Sequence, residues 1–182
     1  MIQSEMKNKF SGAKSLALVG IMAATVECGK LALSFLPNIE VVTLLLALYG
    51  YVFGWYGVAA ALVFVCIEPL IYGMGSWVIT YILYWPAVSA LFMLLSHLKV
   101  KKIWLLTLSA VLSTAFFGVL SSAIDSAFYL GINAHYPANF LIYYARGIIF
   151  YIIQIVCNAA LFLTLFKYLS GKLLVLKGHF RL

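Results

Sequence analysis

Apolar runs of membrane-spanning length take up almost the whole chain. Six can be drawn: about 14–36, ended by Pro37; about 39–53, before the turn-like Gly54-Trp55-Tyr56-Gly57; about 58–74; about 77–98; about 103–130; and about 138–169. A helix of roughly 20 apolar residues crosses the ~30 Å hydrocarbon core of a bilayer. In lipid, every backbone polar group must be satisfied within such a helix or within a closed barrel. Barrel strands read as alternating segments of about ten residues, and no such alternation occurs here. Charged residues make up 9% of the chain, against about 25% in soluble domains. The expected fold is therefore an all-α integral membrane protein, with residues 1–182 forming a single domain of six transmembrane helices. The second run is short for a span, which predicts tilt or an irregular end. The first run is too long, and too interrupted by Glu27 and Lys30, for a signal h-region, and it reads as a retained span.

Basic residues orient these spans. Lys7, Lys9 and Lys14 precede the first; Lys99, Lys101 and Lys102 lie between the fourth and fifth; Lys167, Lys172, Lys177 and Arg181 fall at the end of the chain. With six spans, all three groups lie on one side, and lysine and arginine bias makes that side the cytoplasm. Both termini are then cytoplasmic. The net charge of +7 follows this pattern and is no nucleic-acid signal. Cys28, Cys66 and Cys157 sit within apolar runs without metal-ligand spacing and read as small core residues.

The Asp, Glu, Lys and Arg residues embedded in the spans fall toward the opposite side. They are Glu27, Lys30, Glu40, Glu68, Asp125 and Arg146. Each costs about 2.5–3.5 kcal/mol at a bilayer centre on insertion scales, so each is expected to be paired or functional. Glu27 and Lys30, three apart, can pair within one helix, and Arg146 can neutralise Asp125 or Glu68 from another. That leaves about two acids without a basic partner. An ion pathway would scatter such groups through the full depth; clustering on one side predicts an outward-opening pocket. Glu40 is the foremost candidate, because Pro37-Asn38 bends the chain just before it. Its replacement by Gln is expected to weaken ligand binding without disturbing folding. Asn38 itself either lines the pocket or serves only the local turn.

Polar aromatics share this layer. Trp77, Tyr81, Tyr84 and Trp85 recur at helical spacing along one face. Tyr72, Tyr129, His135, Tyr136, Asn139, Tyr143 and Tyr144 surround it. The expected substrate-binding residues are Lys30, Asn38, Glu40, Glu68, Tyr81, Tyr84, Trp85, Asp125, Asn139, Tyr143 and Arg146. Aromatic walls with acidic acceptors suit a flat, neutral or weakly basic ring bearing hydroxyl or amino donors. On the other half of the first span, Ala17, Gly20 and Ala24, with Ala13 and Ala23 nearby, form a surface of small residues. Such a surface packs against the protein's own helices or admits a second membrane protein.

Six spans of this size, an outer polar pocket and a small-residue face, with the phrases LPNIEVVTLLLALYGYVFG, IEPLIYGMGSW and YILYWP, resemble the substrate-binding S-components of energy-coupling factor (ECF) vitamin transporters. The phrases look like the group that includes hydroxymethylpyrimidine and pyridoxine members. The resemblance implies a prokaryotic cytoplasmic membrane and a vitamin held near the outer face, under loops that here are Pro37-Asn38, Gly75-Ser76 and 131–137. It implies a transmembrane coupling subunit docked on small residues of the first span, where Gly20 and Ala24 depart from the family's alanine pair by a glycine. It also implies two ATP-binding subunits as partners. This chain has no Walker A motif, so ATP hydrolysis belongs to the partners, and capture is followed by toppling of the loaded subunit. No cofactor, metal or catalytic residue is expected. Pantothenate, another B vitamin, or a stand-alone small-solute carrier are the alternatives. A rhomboid-like protease lacks its GxSG turn, because Gly75-Ser76 has no second glycine.

Overall fold

A computed structural model describes residues 2–180, with side chains from 12 to 178. Lys7, Lys9 and Arg181, invoked above for orientation, lie outside the described side chains. Seven α-helices follow one another: α1 (Ile2–Ala32), α2 (Val42–Phe53), α3 (Trp55–Tyr72), α4 (Ser76–His97), α5 (Ile103–Leu130), α6 (Tyr136–Leu161) and α7 (Lys167–Phe180). A π-helical turn, Phe162–Phe166, joins α6 to α7. Among the described residues, five stretches are long and apolar enough to cross a membrane: Gly12–Ala32, α3, α4, α5, and the continuous helix Tyr136–Gly178. The sixth apolar helix, α2, is shorter.

That short helix is the centre of the molecule. Ten of its twelve residues are buried, and it packs against α1, α3, α4, α5, α6 and α7. A helix apolar on all sides belongs in an interior. Around it, α1 packs on α3, α3 on α4, α4 on α5, and α5 on α6.

Two close approaches hold α2 in place. A Cβ on Gly50 would sit 2.0 Å from the Ser89 carbonyl oxygen of α4, and one on Gly57 would sit 2.3 Å from the Tyr49 backbone. The reversal between α2 and α3 is made by Gly54 alone, with φ of 63°, a conformation that glycine adopts without steric cost. The predicted four-residue turn at 54–57 is thus reduced to one residue, because Trp55 already begins α3.

Contacts define the two ends of the bundle. At one end Tyr51 Oη donates to Val100 O at 2.8 Å, Lys177 Nζ donates to Val52 O at 2.7 Å, and Ser15 Oγ meets Tyr56 Oη at 3.2 Å. The Lys177 contact places a cation on the C-terminal carbonyls of α2, where the helix dipole favours it. Lys14, Lys99, Lys101, Lys102 and Lys172 belong to the segments at this end. At the other end Ser76 Oγ donates to Asp125 Oδ1 at 2.6 Å, tying α4 to α5, and Tyr136 Oη donates to Ala123 O at 3.1 Å. Near the lysine-bearing end the π turn brings Phe162 and Phe166 together inside, against Phe92 at 5.4 and 5.7 Å between ring centroids.

Much of the outer surface is apolar, as a bilayer-facing surface must be. This revises the reading of the cysteines. Cys28 and Cys66 are exposed and Cys157 is half-buried. In lipid an apolar residue gains nothing from the interior over the periphery, so a cysteine in an apolar run need not be core.

Candidate functional site

At about 1.5 Å per residue, α2 extends roughly 18 Å and cannot fill a bundle built from longer helices. Above its N-terminus the interior is left open. The resulting cavity has a volume of about 440 Å³, within the range of small-molecule sites. It lies at the end opposite the lysine clusters. Its roof is the turn-rich segment 33–41, carrying Asn38 at φ 62°, a left-handed conformation that asparagine tolerates. Asn38 therefore does the local turn work and also lines the cavity.

The walls are aromatic. Tyr81 and Trp85 of α4 face the cavity with Phe64 and Tyr72 of α3, Phe117 of α5 and Tyr151 of α6. The face predicted on α4 forms a continuous edge-to-face ladder, with centroids 5.1 Å apart from Trp77 to Tyr81 and 5.5 Å from Tyr81 to Trp85. Tyr84 is buried behind this wall, 4.8 Å from Trp85 and 4.9 Å from Phe117, and it does not line the cavity.

The charges are arranged differently from the helical i, i+3 expectation. Lys30 reaches across to α3 and donates to Glu68 rather than pairing with Glu27 on its own helix. Its ammonium lies 4.0 Å from the Tyr72 ring centroid and 5.7 Å from that of Tyr81, in range of cation–π attraction. Glu68 is fully buried, whereas a quarter of the Lys30 side chain is accessible and Lys30 lines the cavity. Glu27 lies beside Glu68, with both carboxyl oxygens buried and without a hydrogen-bond partner among the described residues.

Glu40 lines the cavity as well, but its oxygens are already engaged. Oε2 accepts from Thr43 N at 2.9 Å; Oε1 accepts from Thr43 Oγ1 at 2.5 Å and from Asn158 Nδ2 at 2.8 Å. Asn158 Nδ2 also donates to Thr114 Oγ1 at 3.1 Å. Glu40 thus closes the start of α2 and fastens it to α6, with acceptor capacity to spare. The expectation that Glu40→Gln leaves folding undisturbed does not survive this geometry.

Other expected site residues lie elsewhere. Asp125 is occupied by Ser76. Asn139 and Tyr143 are half-buried on α6 outside the cavity lining, and Arg146 is exposed on the same helix, with no ion pair to Asp125 or Glu68 among the described residues. Conversely, Phe117, Tyr151 and Gln154 line the cavity and were not singled out from sequence. A signal existed for Gln154: Gln154 and Asn158 are the buried residues of α6. Two amides four apart in an apolar helix mark its inward stripe.

Two larger cavities have different chemistry. One of about 690 Å³ lies between α4 and α5. Its serines, Ser109 and Ser113, spend their hydroxyl protons on their own helix, at 2.9 and 2.8 Å, leaving an essentially apolar groove. The other, about 540 Å³, lies at the lysine-bearing end beside Gly54, His97 and Lys177. Of these three cavities among the described residues, the one above α2 combines aromatic walls, paired charges and uncommitted polar groups. Fold and site together define a helical protein compatible with multi-pass membrane insertion, with a small-molecule-sized cavity at one end. No known protein family, curated protein or solved structure matches the chain.

Proposed function

We propose that this chain is the substrate-binding S-component of an ATP-driven ECF importer, capturing a small ring-containing vitamin or precursor of the pyridoxine or hydroxymethylpyrimidine type. The observation that carries the reading is the cavity left open above the short α2. It is aromatic-walled, sized for a small molecule, and placed at the end opposite the lysines. In this reading the lysine-bearing end faces the cytoplasm, the helices form six spans in the cell membrane of a prokaryote, and the cavity opens outward. Ala13, Ala17, Gly20 and Ala24 are all exposed on α1, and a Cβ at Gly20 would meet nothing within 4 Å among the described residues. That face is free for the transmembrane coupling subunit, while ATP hydrolysis belongs to two partner subunits. Pantothenate fits less well. Its carboxylate would have to draw Lys30 from Glu68 and leave a fully buried acid unpaired, a penalty of several kcal/mol.

Tryptophan-fluorescence titration of the purified chain against B vitamins and their precursors tests the reading, because Trp85 lines the cavity. Saturable quenching at submicromolar concentration by one ring compound is expected. Uptake of that compound by cells should require co-expression of a coupling subunit and ATPases. Uptake by this chain alone would instead establish a stand-alone carrier, and no binding by the folded protein would overturn the vitamin reading.

A further inference from the structure

Gln154 is one of the cavity's polar groups without a partner among the described residues; the Trp85 indole nitrogen is another. Gln154 is 8% exposed and lines the cavity, yet its amide makes no hydrogen bond to any described residue. Several polar neighbours are committed: Lys30 to Glu68, Glu40 to Thr43 and Asn158, and the Tyr151 hydroxyl to Ser122 at 3.0 Å. The Gln154 amide atoms are not among the buried polar atoms left without a partner, so they open onto the cavity, and a donor and an acceptor uncommitted in a cavity of small-molecule size are available to a ligand.

We propose that Gln154 is the specificity-determining residue of the cavity, and that it selects a planar nitrogen heterocycle bearing a hydrogen-bond donor beside an acceptor on one edge. The inference rests on the cavity being the substrate site. The carboxamide offers a carbonyl acceptor and an NH₂ donor side by side in one plane. Its complement is an edge with the reverse pattern, such as an amino group next to a ring nitrogen. The same geometry lets Gln and Asn read the adenine edge in two bonds. Tyr81, Trp85 and Phe117 supply flat apolar surfaces for the ring. Lys30 is neutralised by Glu68, which favours an uncharged ligand. A hydroxypyridine whose nitrogen and hydroxyl are not adjacent can satisfy only one half of the amide at a time. The proposal therefore separates two ring types that the general reading leaves together.

The test uses the purified full chain and two probes: 4-amino-5-hydroxymethyl-2-methylpyrimidine and the same pyrimidine lacking the amino group. The wild type is expected to bind the amino compound roughly ten- to a hundredfold more tightly, the range for one bidentate pair. Gln154→Leu should abolish that preference while retaining weak binding of both rings. Gln154→Glu keeps a polar side chain of the same length and still accepts from the amino group, but it places a second acceptor against the ring nitrogen that both rings carry, so both should bind more weakly than to wild type. Should Gln154→Leu fail to fold, as read by melting and gel filtration, Gln154→Glu carries the test. Equal affinity of the wild type for the two rings, an undiminished preference in folded Gln154→Leu, or wild-type affinity of folded Gln154→Glu for both rings overturns the role of Gln154 but leaves a ring-binding subunit standing. Failure of the folded wild type to bind any ring overturns both.

Discussion

Replacing Lys30 by Met is expected to destabilise this protein far more than replacing Glu68 by Gln, although the two residues form one ion pair. The asymmetry comes from burial. The Glu68 side chain is 1% accessible and that of Lys30 is 25% accessible. Glu68 Oε1 already lacks a partner, as do both oxygens of neighbouring Glu27. Removing the ammonium leaves two buried carboxyls facing each other with no cation between them. Breaking a buried pair from one side costs about 3–5 kcal/mol, and the second acid puts this case at the upper end. With roughly 2–4 °C of melting temperature per kcal/mol for a chain of this size, Lys30→Met should melt on the order of 10 °C below wild type. Glu68→Gln leaves a lysine that still touches Tyr72 and Tyr81 and reaches the cavity, a loss of about 1 kcal/mol on the scale of accessible pairs. The double variant Lys30→Met/Glu68→Gln removes both charges and should recover most of the loss, since an apolar or neutral replacement of a buried pair is often tolerated. Thermal melting of the detergent-solubilised protein, followed by gel filtration, measures all three. A Lys30→Met protein that melts with wild type would refute the burial argument, as would a double variant no better than the single.

Glu40→Gln should lower both the melting temperature and the ligand affinity, because its amide NH₂ must face one of the donors of Thr43 or Asn158; leaving a buried donor unmatched costs about 1–3 kcal/mol. Loss of affinity with unchanged melting would return Glu40 to a purely ligand-binding role. Gly50→Ala should reduce folded yield sharply, since its Cβ would meet a backbone carbonyl at 2.0 Å and backbone cannot rotate away; normal expression and melting would contradict the packing of α2 on α4. A Cβ at Gly20 would have open space around it, so Gly20→Leu should leave ligand binding unchanged while impairing uptake with the coupling partners. Unimpaired uptake would remove α1 from the docking surface. Arg146→Leu should leave ligand affinity within about twofold of wild type, measured by the same fluorescence titration, because a surface substitution away from the cavity carries no specific mechanism of loss.

The helical, membrane-compatible character was legible in the apolar runs, because hydrocarbon permits few other backbone solutions. The runs also located the elements well. The fifth was expected at 103–130, and α5 spans Ile103–Leu130. The fourth was displaced by one residue at each end. The second was recognised as short, but its consequence was not: a short central helix leaves a cavity, and centrality is a tertiary property. Tyr81 and Trp85, which line the cavity, could be placed on one face by helical periodicity; Lys30 and Glu40 stood out because charged residues are rare and costly in lipid, and Asn38 because it bends the chain after Pro37.

What sequence alone could not assign was partnership. The distance between Glu27 and Lys30 along one helix is fixed by local geometry, and so the i, i+3 pair was visible; the Glu68 that Lys30 prefers lies 38 residues away and arrives only when α3 packs on α1. Likewise Asn158 comes to Glu40 across 118 residues, turning a supposed ligand acceptor into the clasp of α2. Gln154, one polar residue in an apolar run, acquires its place on the cavity only through the fold. Composition and periodicity are local properties, set by the cost of exposing polar groups to lipid. Which polar groups end up facing one another, and which is left facing empty space, depends on helix packing that joins residues far apart in the chain.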